Sequence, residues 1–173
     1  MHFLITGHTG FKGAWLSMLL HARGHNVSGI SLQPEANSLF IKADVQKFLE
    51  RDIRCDIGES SKLTSYFKQT KPDVVVHLAA QALVRESYKN PIKTFETNVM
   101  GTLNVMKASL QLKDLRAQLI VTTDKVYRNV NKTFGYVETD PLGGQDPYSA
   151  SKAMADIAAQ SWLSSFGNAP TAI

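Results

Sequence analysis

Met1-His2-Phe3-Leu4-Ile5-Thr6-Gly7-His8-Thr9-Gly10-Phe11-Lys12-Gly13-Ala14-Trp15-Leu16 opens the chain. Residues 2 to 6 are short, apolar and rich in strand formers, the pattern of a buried parallel strand. Gly7, Gly10 and Gly13 follow at three-residue spacing. In a strand-to-helix turn, the first glycine permits the tight reversal and the second lets the backbone approach a phosphate. The third lets the helix pack closely. The unpaired N–H groups and positive dipole end of that helix face the anion. A glycine triplet alone is compatible with an ordinary turn. The strand before it and the apolar run after it point to a phosphate cradle.

The rest of the chain alternates strand and helix. Residues 14 to 23 carry Trp15, Leu16, Met18, Leu19 and Leu20 at helical spacing, with Gly24 as a stop. Val27 to Leu32 reads as a second strand and Ile53 to Ile57 as a third, while residues 35 to 51 fit no clear element. Lys62 to Gln69 reads as a short helix behind capping serines at Ser60 and Ser61. Asp73 to Ala80 is continuously apolar, as a central parallel strand should be. A loop over 81 to 88 leads to a long helix from Ile92 to Leu110, then to a strand from Leu119 to Lys125. Residues 128 to 147 are loop-like, a helix runs from Pro147 to about Phe166, and Pro170 to Ile173 begins another strand. The alternation predicts an α/β fold, a doubly wound parallel sheet with helices on both faces.

At 173 residues, 43% hydrophobic and 20% charged, the chain suits one core. The charge is +4, but the basic residues never form a run of four, so no nucleic-acid partner is expected. Cys55 is the only cysteine, which excludes an intramolecular disulfide and a thiolate metal cluster, and no metal is expected. A reducing, cytoplasmic setting fits. No membrane association is expected, because the first apolar run is short and enters a turn at once.

Ligands in open α/β sheets lie beyond the carboxyl ends of the strands. The tip of the second strand holds Ser31, Leu32 and Gln33, with no acid and no Lys or Arg between Arg23 and Lys42. A 2′-phosphate finds little there, which favours NAD over NADP, with Gln33 either bonding a ribose hydroxyl or simply a loop residue. Asp56 and Ile57 end the third strand, and Ala79 and Ala80 the fourth, where small residues let a dinucleotide lie close. His77, inside an apolar run, reads as a satisfied core histidine. Asn98 reads as structural support, and Thr123, Asp124 and Lys125 fall at another strand end. Tyr148 and Lys152 are four apart on a predicted helix and share a face. An ammonium beside the phenol favours a phenolate, a general base for a hydroxyl.

The glycine spacing is that of the short-chain dehydrogenase/reductase superfamily. The stretches 7 to 13, 77 to 81, 97 to 102, 122 to 127 and 140 to 152 together resemble the N-terminal half of the CDP-glucose 4,6-dehydratases, in the extended branch of that superfamily. Related dTDP-glucose dehydratases carry Glu where Lys125 stands. The resemblance implies a Rossmann-like fold with residues 1 to 173 as an NAD-binding domain carrying the catalytic residues. It implies cofactor contacts from Gly7, Thr9, Gly10, Phe11, Gly13, Gln33, Asp56, Ile57, Leu78, Ala79, Ala80, Tyr148 and Lys152, and a catalytic set of Thr123, Asp124, Lys125, Tyr148 and Lys152. The activity implied is a lyase reaction, dehydration of CDP-glucose to the 4-keto-6-deoxy sugar by internal hydride transfer. In it, Tyr148 takes the O4 proton, Lys125 or a base it assists takes the C5 proton, and Asp124 protonates the leaving C6 hydroxyl.

The family also implies a homodimer through the helices near 92 to 110 and 148 to 166. Members carry a C-terminal substrate-binding portion, so a fragment that binds NAD with impaired dehydration is expected. Another nucleotide-sugar epimerase or dehydratase, or a catalytically silent NAD-binding protein, stands as the alternative.

Overall fold

The computed structural model describes residues 1–167 and 171–173. Six parallel strands lie in the order β3-β2-β1-β4-β5-β6: β1 (His2–Thr6), β2 (Asn26–Ser31), β3 (Arg51–Arg54), β4 (Val74–His77), β5 (Ala117–Ile120) and β6 (Thr171–Ala172). The chain builds outward from β1 in one direction, then crosses over β1 and builds in the other. With right-handed crossovers this places helices on both faces and a reversal of strand order beside β1. Pro170, part of the expected last strand, lies outside the described residues.

One face carries α1 (Phe11–Ala22), which begins three residues earlier than predicted because Gly10 is its N-cap. Gly24 lies just past its end with φ +76°, the left-handed stop that glycine favours. The unassigned stretch between β2 and β3 folds into α2 (Leu39–Lys42) and a 3₁₀ turn (Val45–Phe48). These bury Phe40 and Val45 against Ala14.

The other face carries α3 (Ser60–Thr70), which begins behind Glu59 with no side-chain cap; the serines expected to cap it lie inside its first turn. Leu63 and Phe67 of α3 and Val105 and Ala108 of α6 (Gly101–Ser109) meet Leu4, Ile30 and Val75 of the sheet in the largest core cluster. At about 25 cal/mol per Å² of apolar area, such burial is the main force holding the layers together. The predicted loop over 81 to 88 contains α4 (Val84–Lys89). The expected long helix runs unbroken from Pro91 to Ser109, with α5 (Pro91–Phe95) joined to α6 by a π-helical turn (Glu96–Met100). α7 (Pro147–Phe166) matches expectation. Pro147 opens it, and the Asp146 carboxylate accepts from the Ser149 N–H at 3.0 Å.

Strands β3, β4 and β5 are shorter than predicted, ending at Arg54, His77 and Ile120. Asp56, Ile57, Leu78, Ala79, Ala80, Thr123, Asp124 and Lys125 therefore leave the strands and form the loops at the carboxyl rim. Leu78 still donates its N–H to the Thr6 carbonyl at 3.0 Å, and the ladder between β1 and β4 ends there.

Candidate functional site

Gly7 has φ +79°, and a Cβ on it would lie 2.7 Å from the Ala79 nitrogen and 2.9 Å from the Leu78 carbonyl carbon. Gly13 is tighter: its Cβ would sit 2.3 Å from the Gly7 oxygen. The turn is thus packed onto itself and onto the end of β4, and only glycine fits either place. Gly10 is exposed at the N-cap of α1. A cradle of this kind, open at the helix N-terminus and bare of side chains, fits the pyrophosphate of a dinucleotide.

The expected cofactor residues divide by what their side chains do. Thr9 is buried and its hydroxyl bonds Ser31 Oγ at 2.6 Å, so it ties the turn to the end of β2. Phe11 and Gln33 are exposed at the rim. Asp56 accepts from the Gly58 N–H at 2.8 Å and pairs with Lys93 at 3.4 Å. Ile57 is buried, and its carbonyl accepts from Asn104 Nδ2 at 3.0 Å.

Beneath the rim runs a hydrogen-bonded chain that fixes the loop after β4. His77 is buried; its Nδ1 lies 2.6 Å from Thr6 Oγ1 and its Nε2 3.0 Å from Thr102 Oγ1. Thr102 donates its hydroxyl hydrogen to the Asn98 carbonyl at 2.7 Å, so it accepts from His77. The imidazole is therefore the neutral Nε2–H form, with Nδ1 accepting from Thr6. Burial, with Lys152 adding to it, pushes His77 down to about 3. The core reading of His77 agrees with this geometry.

Asn98 sits in the π turn, where the extra residue swings its side chain into the site. Its Oδ1 accepts from the Gln81 N–H at 2.8 Å, and its Nδ2 donates to the Gln81 carbonyl at 3.0 Å and to Ser151 Oγ at 2.8 Å. Three elements meet on that one amide: the loop after β4, α7 and the π turn. Ser87, on the unexpected α4, accepts from the Tyr148 N–H at 3.1 Å and holds the first turn of α7.

Lys152 is buried, and its Nζ donates to the Val121 carbonyl at 2.9 Å, just past β5. Burial lowers it to about 8, with Asp156 opposing and Lys12 adding to the fall. Tyr148, one turn earlier, is half-buried at the rim. Thr123 caps a 3₁₀ turn (Asp124–Val126) in place of the predicted strand end, its hydroxyl donating to Asp124 Oδ1 at 3.0 Å. Asp124 and Lys125 are exposed at the same rim. The structure thus gathers the glycine turn, Ala79 and Ala80, the 123 to 125 turn and the Tyr148–Lys152 face at one edge of the sheet.

One group there was missed in sequence. His8 is buried under the glycine turn, its Nε2–H donating to Asp52 Oδ1 at 2.8 Å, and Arg54 binds the same carboxylate. The signal was Gly29: a glycine inside a strand marks a close approach, and a Cβ there would lie 2.2 Å from the His8 ring.

Fold and rim together define the class, a doubly wound dinucleotide-binding domain with a Tyr-x-x-x-Lys helix. The chain belongs to the GDP-mannose 4,6-dehydratase family, whose pattern matches residues 4–171. It is 43% identical over 165 residues to the CDP-glucose 4,6-dehydratase of Salmonella typhimurium, covering 95% of this chain and 46% of that protein. It is 30% identical over 174 residues to a dTDP-glucose 4,6-dehydratase of Xanthomonas campestris pv. campestris, covering 95% and 50%. The chain spans about half the length of these curated relatives. Among solved structures, the Thermus thermophilus UDP-glucose 4-epimerase complexed with NAD matches with a TM-score of 0.85 at 30% identity, over 96% of this chain and 52% of that one. The Streptomyces venezuelae dTDP-glucose 4,6-dehydratase DesIV, with NAD and TYD bound, matches with a TM-score of 0.83 at 26% identity, over 96% and 53%.

Proposed function

We propose that this chain is the NAD-binding domain of a 4,6-dehydratase acting on a CDP-linked glucose. The observation that carries the reading is the Lys152–Val121 bond. It pins the Tyr148–Lys152 face of α7 to the end of β5, two residues from the turn holding Thr123, Asp124 and Lys125. Gly7, Gly10 and Gly13 cradle the pyrophosphate, and Ala79 and Ala80 leave room for the ribose beside it. NAD, when bound, supplies a reversible hydride acceptor.

Tyr148 removes the proton from the sugar O4, helped by the charge of Lys152 on its own helical face. Thr123 bonds the same oxygen. With C4 a ketone, the C5 hydrogen becomes acidic. Lys125 in its neutral form, or a base it assists, takes it, and Asp124 in its protonated form donates to the departing C6 hydroxyl, so that water leaves. The hydride removed from C4 is then returned at C6 and a proton at C5, leaving the 4-keto-6-deoxy sugar. Asp124 and Lys125 stand side by side in the exposed turn at the rim, as a paired acid and base require. CDP is preferred as the nucleotide on the strength of the relative at 43% identity.

The proposal includes a reducing cytoplasmic setting, consistent with the single buried Cys55. It also includes a homodimer through α5, the π turn, α6 and α7, where Ile92, Met100, Met154 and Ile157 are 71%, 55%, 49% and 54% exposed. Light scattering on the purified chain tests the dimer, and a monomer at all concentrations refutes it.

The test of function is NAD titration by calorimetry, followed by long incubation of the NAD-loaded chain with CDP-glucose, dTDP-glucose and GDP-mannose, read by mass spectrometry for loss of one water. Slow water loss from CDP-glucose that disappears in Tyr148→Phe is expected. NAD binding with no water loss from any of the three overturns the dehydratase reading in favour of a silent NAD-binding protein.

A further inference from the structure

We propose that Asp52 determines cofactor specificity: it clamps Arg54 away from the ribose position at the end of β2 and so sets a preference for NAD over NADP. This rests on the NAD reading above. In sequence the end of β2 looks free of cations, because none lies between Arg23 and Lys42. The sheet changes that. β3 runs alongside β2, pairing Ser31 with Arg54 and Gly29 with Asp52. Residues two apart on a strand share a face, so Ser31, Asp52 and Arg54 lie together on the face where His8 covers Gly29. In dinucleotide-binding folds an arginine near this strand end accommodates the 2′-phosphate of NADP, and Arg54 stands within one strand spacing of it.

Its guanidinium is committed elsewhere. Nη1 lies 2.7 Å from Asp52 Oδ1 and Nη2 donates to Oδ2 at 2.7 Å, a bidentate pair. Asp52 lies two residues nearer the amino end of β3, roughly 6 to 7 Å back along the strand. The clamp therefore draws the guanidinium away from the carboxyl rim, to within 5.4 Å of the Phe40 ring centre and 3.3 Å of His8 Nε2. The Asp52 side chain is 10% exposed and that of Arg54 26%, so solvent competes weakly for the pair.

His8 does not add a charge. Burial lowers its pKa, against the pull of Asp52, and its Nε2–H is spent on the carboxylate. The cluster sums to zero, one carboxylate against one guanidinium. A 2′-phosphate meets neither a free fork of donors nor a net positive field, and the Asp52 carboxylate lies close by. A 2′-hydroxyl needs neither.

The test is calorimetric binding of NAD and of NADP to the 173-residue chain and to Asp52→Asn, which keeps the shape of the clamp and removes its charge. The NADP-to-NAD affinity ratio is expected to rise about tenfold in Asp52→Asn, the scale of one recovered charge-assisted hydrogen bond, and to return to the starting value in Asp52→Asn/Arg54→Gln. Should Asp52→Asn fail to fold by circular dichroism, Asp52→Thr, β-branched and suited to a strand, carries the same expectation. Wild type that binds NAD while the ratio stays unchanged in the charge-removed variant overturns the clamp alone. A gain that survives removal of the guanidinium overturns it as well. Wild type that binds neither dinucleotide overturns the cofactor reading and the clamp with it.

Discussion

His77 makes the stability of this fold depend on pH in a way that can be isolated. In the folded chain it is neutral, donating to Thr102 and accepting from Thr6, and burial lowers it from 6.5 to about 3. Unfolded, it takes a proton near 6.5. Above that pH both states are neutral at this site and the full stability is present. As pH falls below 6.5 the unfolded state binds a proton that the folded state refuses, so stability falls until pH reaches the folded value. The slope from one such group approaches about 1.4 kcal/mol per pH unit, hence about 2 to 3 kcal/mol between pH 6.5 and 4.5. Protonation would turn Nδ1 into a donor facing the Thr6 hydroxyl, which would have to give up its own donation. Urea unfolding at a series of pH values, for wild type and His77→Gln, measures the effect. Carboxylates and His8 contribute to both proteins and cancel in the difference of slopes. A wild-type slope steeper by about 1 kcal/mol per pH unit is expected; equal slopes refute the neutral, buried assignment.

Gly13→Ala should remove dinucleotide binding and lower the melting temperature, because the new Cβ meets backbone at 2.3 Å rather than a side chain that can move; calorimetry showing unchanged NAD affinity refutes the cradle. Asn98→Ala deletes three hydrogen bonds around Gln81 and Ser151 and should cost about 2 to 4 kcal/mol in a urea melt, with a loss below 0.5 kcal/mol counting against the bracing role. Lys12→Gln removes a positive charge that helps lower Lys152 from 10.5 to about 8, so Lys152 should titrate at higher pH by lysine-resolved NMR. A lower value in the variant contradicts the stated cause.

The elements legible in sequence were those whose signal is local. β1 and the glycine turn could be read from a short apolar run and three-residue spacing, and α7 from Pro147 and the apolar positions Ala153, Ile157, Ala158 and Trp162 that follow it. Strand ends were less legible. Apolar character continues past Ile120 through Val121 and past His77 through Ala80, but the ladder stops where the neighbouring strand stops, and composition does not register that. The π turn was hidden because Glu96 to Met100 has ordinary helical composition; it forms because Asn98 meets Gln81 and Ser151 from distant parts of the chain. α4 was hidden for a similar reason, its Ser87 being placed by the first turn of α7.

By itself the sequence determined the fold class, the cradle and the identity of the rim residues, since turn geometry, helical spacing and apolar runs are written in neighbours. Tertiary structure alone decided what those residues can do. It buried Lys152 and lowered its pKa, tied the Thr9 hydroxyl to Ser31 at the end of β2, and set Arg54 beside Ser31 under the hold of Asp52. Desolvation and the charge of a neighbouring strand depend on packing between residues distant in sequence, and those contacts form only when the sheet does.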